Sequence, residues 1–158
     1  MATKDTFGIG TYLAAFVALL DQSSKNWFLS SFSEPVPFVK ITPFLNFRLS
    51  WNKGVTFGLL NDFSPWMPYF LIAVAVAIML LLLNWLRHVK TLTTAMGLGF
   101  VMGGAVGNVI DRVRFGAVVD FIDFHIADYH WYTFNVADSA ILAGVGLLLL
   151  ENFVQSRR

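Results

Sequence analysis

Residues 65–86, PWMPYFLIAVAVAIMLLLLNWL, run for 22 positions without one charged side chain. About 20 apolar residues of helix cross the hydrocarbon core of a bilayer. In lipid only helices and closed barrels satisfy the backbone, and a continuous apolar run of this length is not a barrel strand. Composition agrees: of 158 residues 56% are hydrophobic, 16% aromatic and only 13% charged, with a mean hydropathy of +0.64. Soluble domains carry about 25% charge. The chain reads as an integral membrane protein.

Three further segments are long and apolar enough, or nearly so. They run from about Phe7 to Phe28, Leu92 to Ile110 and Val136 to Phe153. The first is interrupted by Asp21 and Lys25. It runs into DQSSKNWFL without an Ala-x-Ala type of cleavage site, so it is expected to be retained as a span rather than removed as a leader. The expected fold is therefore all-α and integral to the membrane. It is one domain over residues 1–158, with four transmembrane helices at about 7–28, 65–86, 92–110 and 136–153. The third span carries Gly99, Gly103 and Gly107 at intervals of four, which stacks them on one face for close helix packing.

Residues 30–64 differ in texture. Three prolines in PVPFVKITPFL are followed by rough alternation in Asn46-Phe47-Arg48-Leu49-Ser50-Trp51. A small extracytoplasmic β-rich segment is expected there, between the first and second spans. Trp27 and Trp66 suit a lipid interface. A formal net charge of +1 and the lack of any Lys/Arg run exclude a nucleic-acid partner. With no cysteine there is neither a disulfide framework nor thiol chemistry.

Four spans put both termini on one side with Lys4, Arg87, Lys90, Arg157 and Arg158. Lys25, Lys40, Arg48, Lys53, Arg112 and Arg114 fall on the other. The first group sits in short segments flanking the spans, where the positive-inside rule acts most strongly, so the termini are expected in the cytoplasm.

The stretch GNVIDRVRFGAVVDFID, residues 107–123, gathers polar residues at the outward end of the third span. Asn108, Asp111 and Arg112 lie at i, i+3 and i+4, and Asn135 and Asp138 at i and i+3 where the fourth span begins. Asp120 falls in the connecting loop, within reach of either end. Two readings compete. Asn135 with Asp138 has the spacing of a capping box, and the other acids could be a helix end and a polar loop meeting water. Alternatively the acids converge. Two close carboxylates share one proton, so the ionised partner can take a proton from water while the protonated one polarises a carbonyl. That is aspartic-protease chemistry, and no metal or other cofactor is expected. His125, Asp128 and His130 lack a recognised ligand spacing. Ser23, Ser24 and Ser139 have no histidine partner at a motif spacing.

With these residues in view, nearly the whole chain resembles the lipoprotein signal peptidases (signal peptidase II) of bacteria. DQSSK at 21–25 is similar to the family's Asp-Gln-x-x-Lys, and WNKGVTFGLL at 51–60 to its Asn-x-Gly-Ala-Ala-Phe segment. GGAVGNVIDR at 103–112, VVDFIDFH at 118–125 and FNVADSAI at 134–141 follow in the family's order. Val55-Thr56 stands where the family favours two alanines, which bears on substrate fit. The resemblance implies a membrane aspartic endopeptidase that removes the signal peptide from prolipoproteins, cutting before the diacylglyceryl-modified cysteine. It would act as a monomer in the bacterial cytoplasmic (inner) membrane, among membrane lipids, with its site toward the extracytoplasmic face. It also implies Asp120 and Asp138 as the catalytic pair, with Asn108, Arg112 and Asn135 holding the pair and the substrate. Asn52 and Gly54 would contact the substrate, and Asp21 with Lys25 would brace the site. Asp111 is expected as a structural neighbour of Arg112 and Asp123 as loop polarity. A small proton-coupled transporter would also place acids at membrane level, but at the midplane and often on repeated helices. A non-catalytic scaffold would tolerate replacement of both aspartates.

Overall fold

The computed structural model describes residues 3–32, 38–54, 66–126 and 129–157. Four helices and four strands follow in the order α1 (Thr3–Ser31), β1 (Val39–Thr42), β2 (Leu45–Asn52), α2 (Met67–Leu86), α3 (Leu92–Phe115), β3 (Val118–Ile126), β4 (Tyr129–His130) and α4 (Val136–Gln155). Among the described residues three helices, α2, α3 and α4, are long and apolar enough to cross a membrane. α1 is longer than any of them but carries Asp21 and Lys25 in its second half.

α3 is the central helix, and its glycines explain how neighbours approach it from two sides. Gly99 and Gly103 abut α1: a Cβ on either would lie 2.6 Å from a backbone carbonyl, of Gly10 and Ala14 respectively. At Gly107 a Cβ would run into the Asp21 carboxyl, so the missing side chain there makes room for a charge. A second set, not singled out in the sequence, faces α4. A Cβ on Gly97 would lie 3.0 Å from the Gly144 carbonyl, and Gly104 presses on Ala137 and Ile141. Between lipid-soluble helices close van der Waals approach replaces the hydrophobic drive, and small residues permit it. α2 packs against α3 near their connecting turn through Leu86, Val89, Ala95 and Leu98. It leaves Tyr69, Phe70, Ile78, Leu80 and Leu81 exposed. A run of that kind suits a hydrocarbon solvent.

α3 does not stop at Ile110. It continues to Phe115 and ends on Gly116, whose φ of 70° supplies the left-handed cap that a side chain would resist. Asp111 and Arg112 are thus in the last turns of a helix. The sheet also departs from expectation. β1 and β2 arise between α1 and α2, as the alternation suggests, but β3 and β4 come from residues expected as a loop, giving the antiparallel order β1-β2-β3-β4. Val118–Phe121 hid this strand, because the first half of β3 is buried on both faces and lacks the alternation of a half-exposed strand. β2 pairs with β3 so that Ser50 opposes Asp120 and Asn46 opposes Asp123. Phe28 of α1 stacks on Phe121 of β3 with ring centroids 4.9 Å apart, and Phe32 and Phe47 close the cluster. This contact seats the sheet on the end of α1.

Gly103→Ala should lower the unfolding temperature in detergent, because its Cβ meets α1 backbone; overpacking of this kind costs about 1–3 kcal/mol. Gly146, whose added Cβ meets nothing within 4 Å, serves as the control. Gly146→Ala should leave that temperature unchanged or raise it.

Candidate active site

The site forms where the end of α1, the end of α3, the β2–β3 pair and the start of α4 meet. Its base is Lys25, which is 1% exposed. The ammonium has three hydrogens and three acceptors: Asp21 Oδ2 at 2.8 Å, Asp111 Oδ2 at 2.8 Å and Asn108 Oδ1 at 3.2 Å. Each acceptor ties in another element. Asp21 Oδ1 accepts from the Ala137 backbone N–H at 2.9 Å, so α1 supplies a carboxylate to the unsatisfied first turn of α4. Asp111 Oδ2 accepts from the Val119 N–H at 3.0 Å and so holds β3. Gln22 Nε2 donates to Asp111 Oδ1 at 2.8 Å and to the Gly107 carbonyl at 3.2 Å.

Above this base, three asparagines present N–H groups to two acids. Their amide orientations follow from fixed donors on the oxygen side. Asn135 Oδ1 accepts from the Asp138 N–H at 2.9 Å, so its Nδ2 points at Asp120 Oδ1, 2.6 Å away. Asn52 Oδ1 accepts from the Gly54 N–H at 3.1 Å, so its Nδ2 faces Asp120 Oδ2 at 3.1 Å. Asn108 Oδ1 takes Lys25 and also Asn135 Nδ2 at 3.2 Å, leaving Nδ2 for Asp138 Oδ1 at 2.9 Å. Asn135 touches both acids, since its backbone N–H reaches Asp138 Oδ2 at 3.4 Å. Its position beside Asp120 is set by the bridge between Phe134 and Ile122.

Asp120 is fully buried. Burial, and then the negative charge of Asp138, push its pKa up from the usual 3.8 to about 7, against the hydrogen bonds from Asn52 and Asn135 and the charge of Lys25. Arg112 Nη2 donates to the Gly54 carbonyl at 2.8 Å and so fixes the end of β2. A cavity of about 440 Å³ opens beside Asp138, walled by Trp131, Tyr132, Phe134, Ile141 and Val145.

The nine residues singled out in the sequence, Asp21, Lys25, Asn52, Gly54, Asn108, Arg112, Asp120, Asn135 and Asp138, thus share one polar network. The capping box is also present, with both of its hydrogen bonds, so the two competing readings of Asn135 and Asp138 describe the same atoms. One expectation is extended and one needs correction. Asp111 neighbours Arg112 and faces its charge, and it is also fully buried and bonds Lys25, Gln22 and Val119. One residue on, Arg112 points about 100° around the helix, toward Gly54. Asp123 is not loop polarity: it lies on β3, is 1% exposed, and accepts from Asn46 Nδ2 at 2.9 Å beside His130 Nδ1, also at 2.9 Å. His130 stacks on His125 at 4.9 Å. Val55, Thr56 and Asp128 lie outside the described residues. Among the described residues no group of three or more His, Cys, Asp or Glu has the geometry to hold a metal. Gln22 and Tyr132 were missed. The spacing of Gln22 before Lys25 offers a weak signal; Tyr132 offers none, because only the sheet pairing brings it in.

Comparison with known proteins accords with this geometry. The family model for signal peptidase (SPase) II matches residues 13–154. The chain belongs to the signal peptidase II family. A lipoprotein signal peptidase of Coxiella burnetii (strain Dugway 5J108-111) is 46% identical over 144 residues, covering 88% of this chain and 86% of that one. A lipoprotein signal peptidase of Nitrobacter hamburgensis is 41% identical over 154 residues, covering 94% and 93%. A solved bacterial membrane enzyme, at 2.3 Å resolution, superimposes with a TM-score of 0.83 at 30% identity, covering 94% of this chain and 90% of its own. Membership of the family makes the chain a peptidase, of the aspartic type.

Two outcomes are expected from the network. Lys25→Met strands two buried carboxylates and should destabilise the protein by about 3–5 kcal/mol, read as thermal unfolding in detergent. The second concerns Asp120, whose folded pKa of about 7 lies above the usual 3.8. Between these values the folded protein holds a proton that the unfolded chain has lost, so this group's stabilising contribution is complete below about pH 4 and lost as pH rises toward 7. Isotope-edited infrared titration should show its protonated band disappearing near pH 7. In Asp138→Asn, with the neighbouring charge removed, the midpoint should fall.

Proposed function

We propose that this protein is a membrane aspartic endopeptidase that removes the signal peptide from prolipoproteins, cleaving before the diacylglyceryl-modified cysteine, with Asp120 and Asp138 as the catalytic pair. The single observation that carries the assignment is Asn135, whose side chain and backbone hold one acid each in a member of the signal peptidase II family.

The pair holds one proton between its two carboxyl groups at neutral pH, in keeping with the raised pKa of Asp120. The ionised carboxylate takes a proton from water as the oxygen attacks the scissile carbonyl carbon. The protonated partner passes its proton to the carbonyl oxygen, giving a neutral tetrahedral diol. A proton then moves to the amide nitrogen, the C–N bond breaks, and the cysteine leaves with a free amine. Asn108, Arg112 and Asn135 hold the pair and the substrate, Asn52 at the end of β2 and Gly54 just beyond it contact the substrate, and Asp21 with Lys25 brace the arrangement from α1.

The depth of the site supports this job. α1, α2, α3 and α4 serve as four spans, α1 included, because Asp21 and Lys25 face the bundle while Tyr12, Phe16 and Leu19 face outward. At about 43 Å it exceeds the hydrocarbon thickness of about 30 Å, which lets its polar end emerge. Both termini then lie in the cytoplasm and the sheet lies on the extracytoplasmic face of the bacterial inner membrane. A substrate whose signal helix and acyl chains are both in lipid offers its scissile bond at that level. Each buried CH₂ contributes about 0.8 kcal/mol to holding it there. The protein acts as a monomer among membrane lipids.

Asp120→Asn and Asp138→Asn should each release signal peptide from a lipidated prolipoprotein at least about a hundredfold more slowly than the parent, since each removes the proton transfer itself. Near-parental turnover by either, at equal protein level, rules out the pair.

A further inference from the structure

Tyr132 lies in the short stretch between β4 and α4 and takes no part in the mechanism above. Its Oη accepts a hydrogen bond from Asn52 Nδ2 at 2.7 Å. The same nitrogen gives its other hydrogen to Asp120 Oδ2 at 3.1 Å, and Asn52 Oδ1 accepts from the Gly54 N–H at 3.1 Å. A terminal amide turns easily about its last bond. Here three contacts on three sides stop it, and both N–H groups of a nearly buried side chain are committed. Tyr132 is the one of those partners that comes from the α4 side of the site, next to Asp138. Its ring is a wall of the 440 Å³ cavity that Asp138 also lines. The phenol therefore links the end of β2, which steadies Asp120, to the connection that delivers Asp138.

The geometry points to Tyr132 as a positioning residue of the peptidase reaction: by holding the second N–H of Asn52, its hydroxyl fixes the amide that orients Asp120 Oδ2. This rests on the reaction proposed above. Tyr132 acts through Asn52. Asp120 is faced by Asp138 from α4, Lys25 from α1 and Arg112 from α3, and by the two amides of Asn52 and Asn135. Among these the Asn52 hydrogen bond opposes the upward push of burial. Slackening it moves the titration of Asp120 to higher pH.

The test is a double-mutant cycle of Tyr132→Phe and Asn52→Ala, assayed on a lipidated prolipoprotein across a pH series, with the parent and Asp120→Asn alongside. Tyr132→Phe keeps the ring and the cavity wall. It should lower kcat about tenfold with KM within about twofold, a loss of the size that small misplacement of a catalytic group produces. The pH profile and the infrared titration of Asp120 should both shift upward. In the Asn52→Ala background the same change should do nothing further, because the amide it steadies is gone. An unchanged kcat and pH profile, a rise in KM alone, or full additivity with Asn52→Ala would each overturn the role. The infrared titration reads Asp120 without turnover, so even a poorly active variant decides between these outcomes. An inactive parent or an active Asp120→Asn would sink the peptidase reading itself. An unaffected Tyr132→Phe beside an active parent and an inactive Asp120→Asn sinks only the role of Tyr132.

Discussion

Lys25 places an ammonium group inside a bundle of largely apolar helices, and the polar groups around Asp120 and Asp138 depend on how that charge is compensated. Its three hydrogens are spent on Asp21, Asp111 and Asn108. Through them one ammonium fixes α1 to α3, α3 to β3, and α1 to the first turn of α4. A buried ion pair adds little net stability over an apolar filling of the same shape, yet it is costly to break from one side. Its value here is direction. Apolar side chains would let the helices slide along the glycine faces of α3; the charges allow one register.

That register is what gives the three asparagines their function. An amide in isolation is ambiguous, with a donor end and an acceptor end of nearly equal size. Backbone N–H groups of Gly54 and Asp138, and the Lys25 ammonium, each claim an amide oxygen. The donor ends are therefore all turned toward Asp120 and Asp138. The same hydrogen bonds that cap α4 hold an acid in place, so local helix stability and acid placement draw on one set of atoms. Asp120 remains hard to ionise despite two donors because it is fully buried and faces a second acid. In the reaction proposed for the pair, that difficulty is what makes the acid useful near neutral pH.

The sheet solves a different problem. A site at the ends of helices would be open to water on its outer side. β2 and β3 cover it, with Phe28, Phe47 and Phe121 sealing the sheet to α1. Asp123, Asn46 and His130 tie the strands apart from Asp120 and Asp138. The cover thus has its own polar fastening, separate from the network around Lys25.

How much of this is legible in the residues depends on the range of the interaction. The apolar length of residues 65–86, the four-residue spacing of Gly99, Gly103 and Gly107, and the Asn135–Asp138 cap are local, and the residues themselves dictate them. The spacing of Asn108, Asp111 and Arg112 places them near one another but not what each one meets. Asp111 and Arg112 are neighbours in the chain and turn to different partners because a helix rotates about 100° per residue. β3 was hidden, since its first half, buried on both faces, shows no alternation and needs β2, more than 60 residues earlier, to satisfy its backbone. Tyr132 meets Asn52 only through that pairing. The chain alone determined a membrane protein with polar residues gathered at the ends of its apolar runs, because lipid admits few solutions for such runs. The tertiary structure alone decided which amide faces which acid, because hydrogen bonds between distant residues follow from packing and register rather than from spacing.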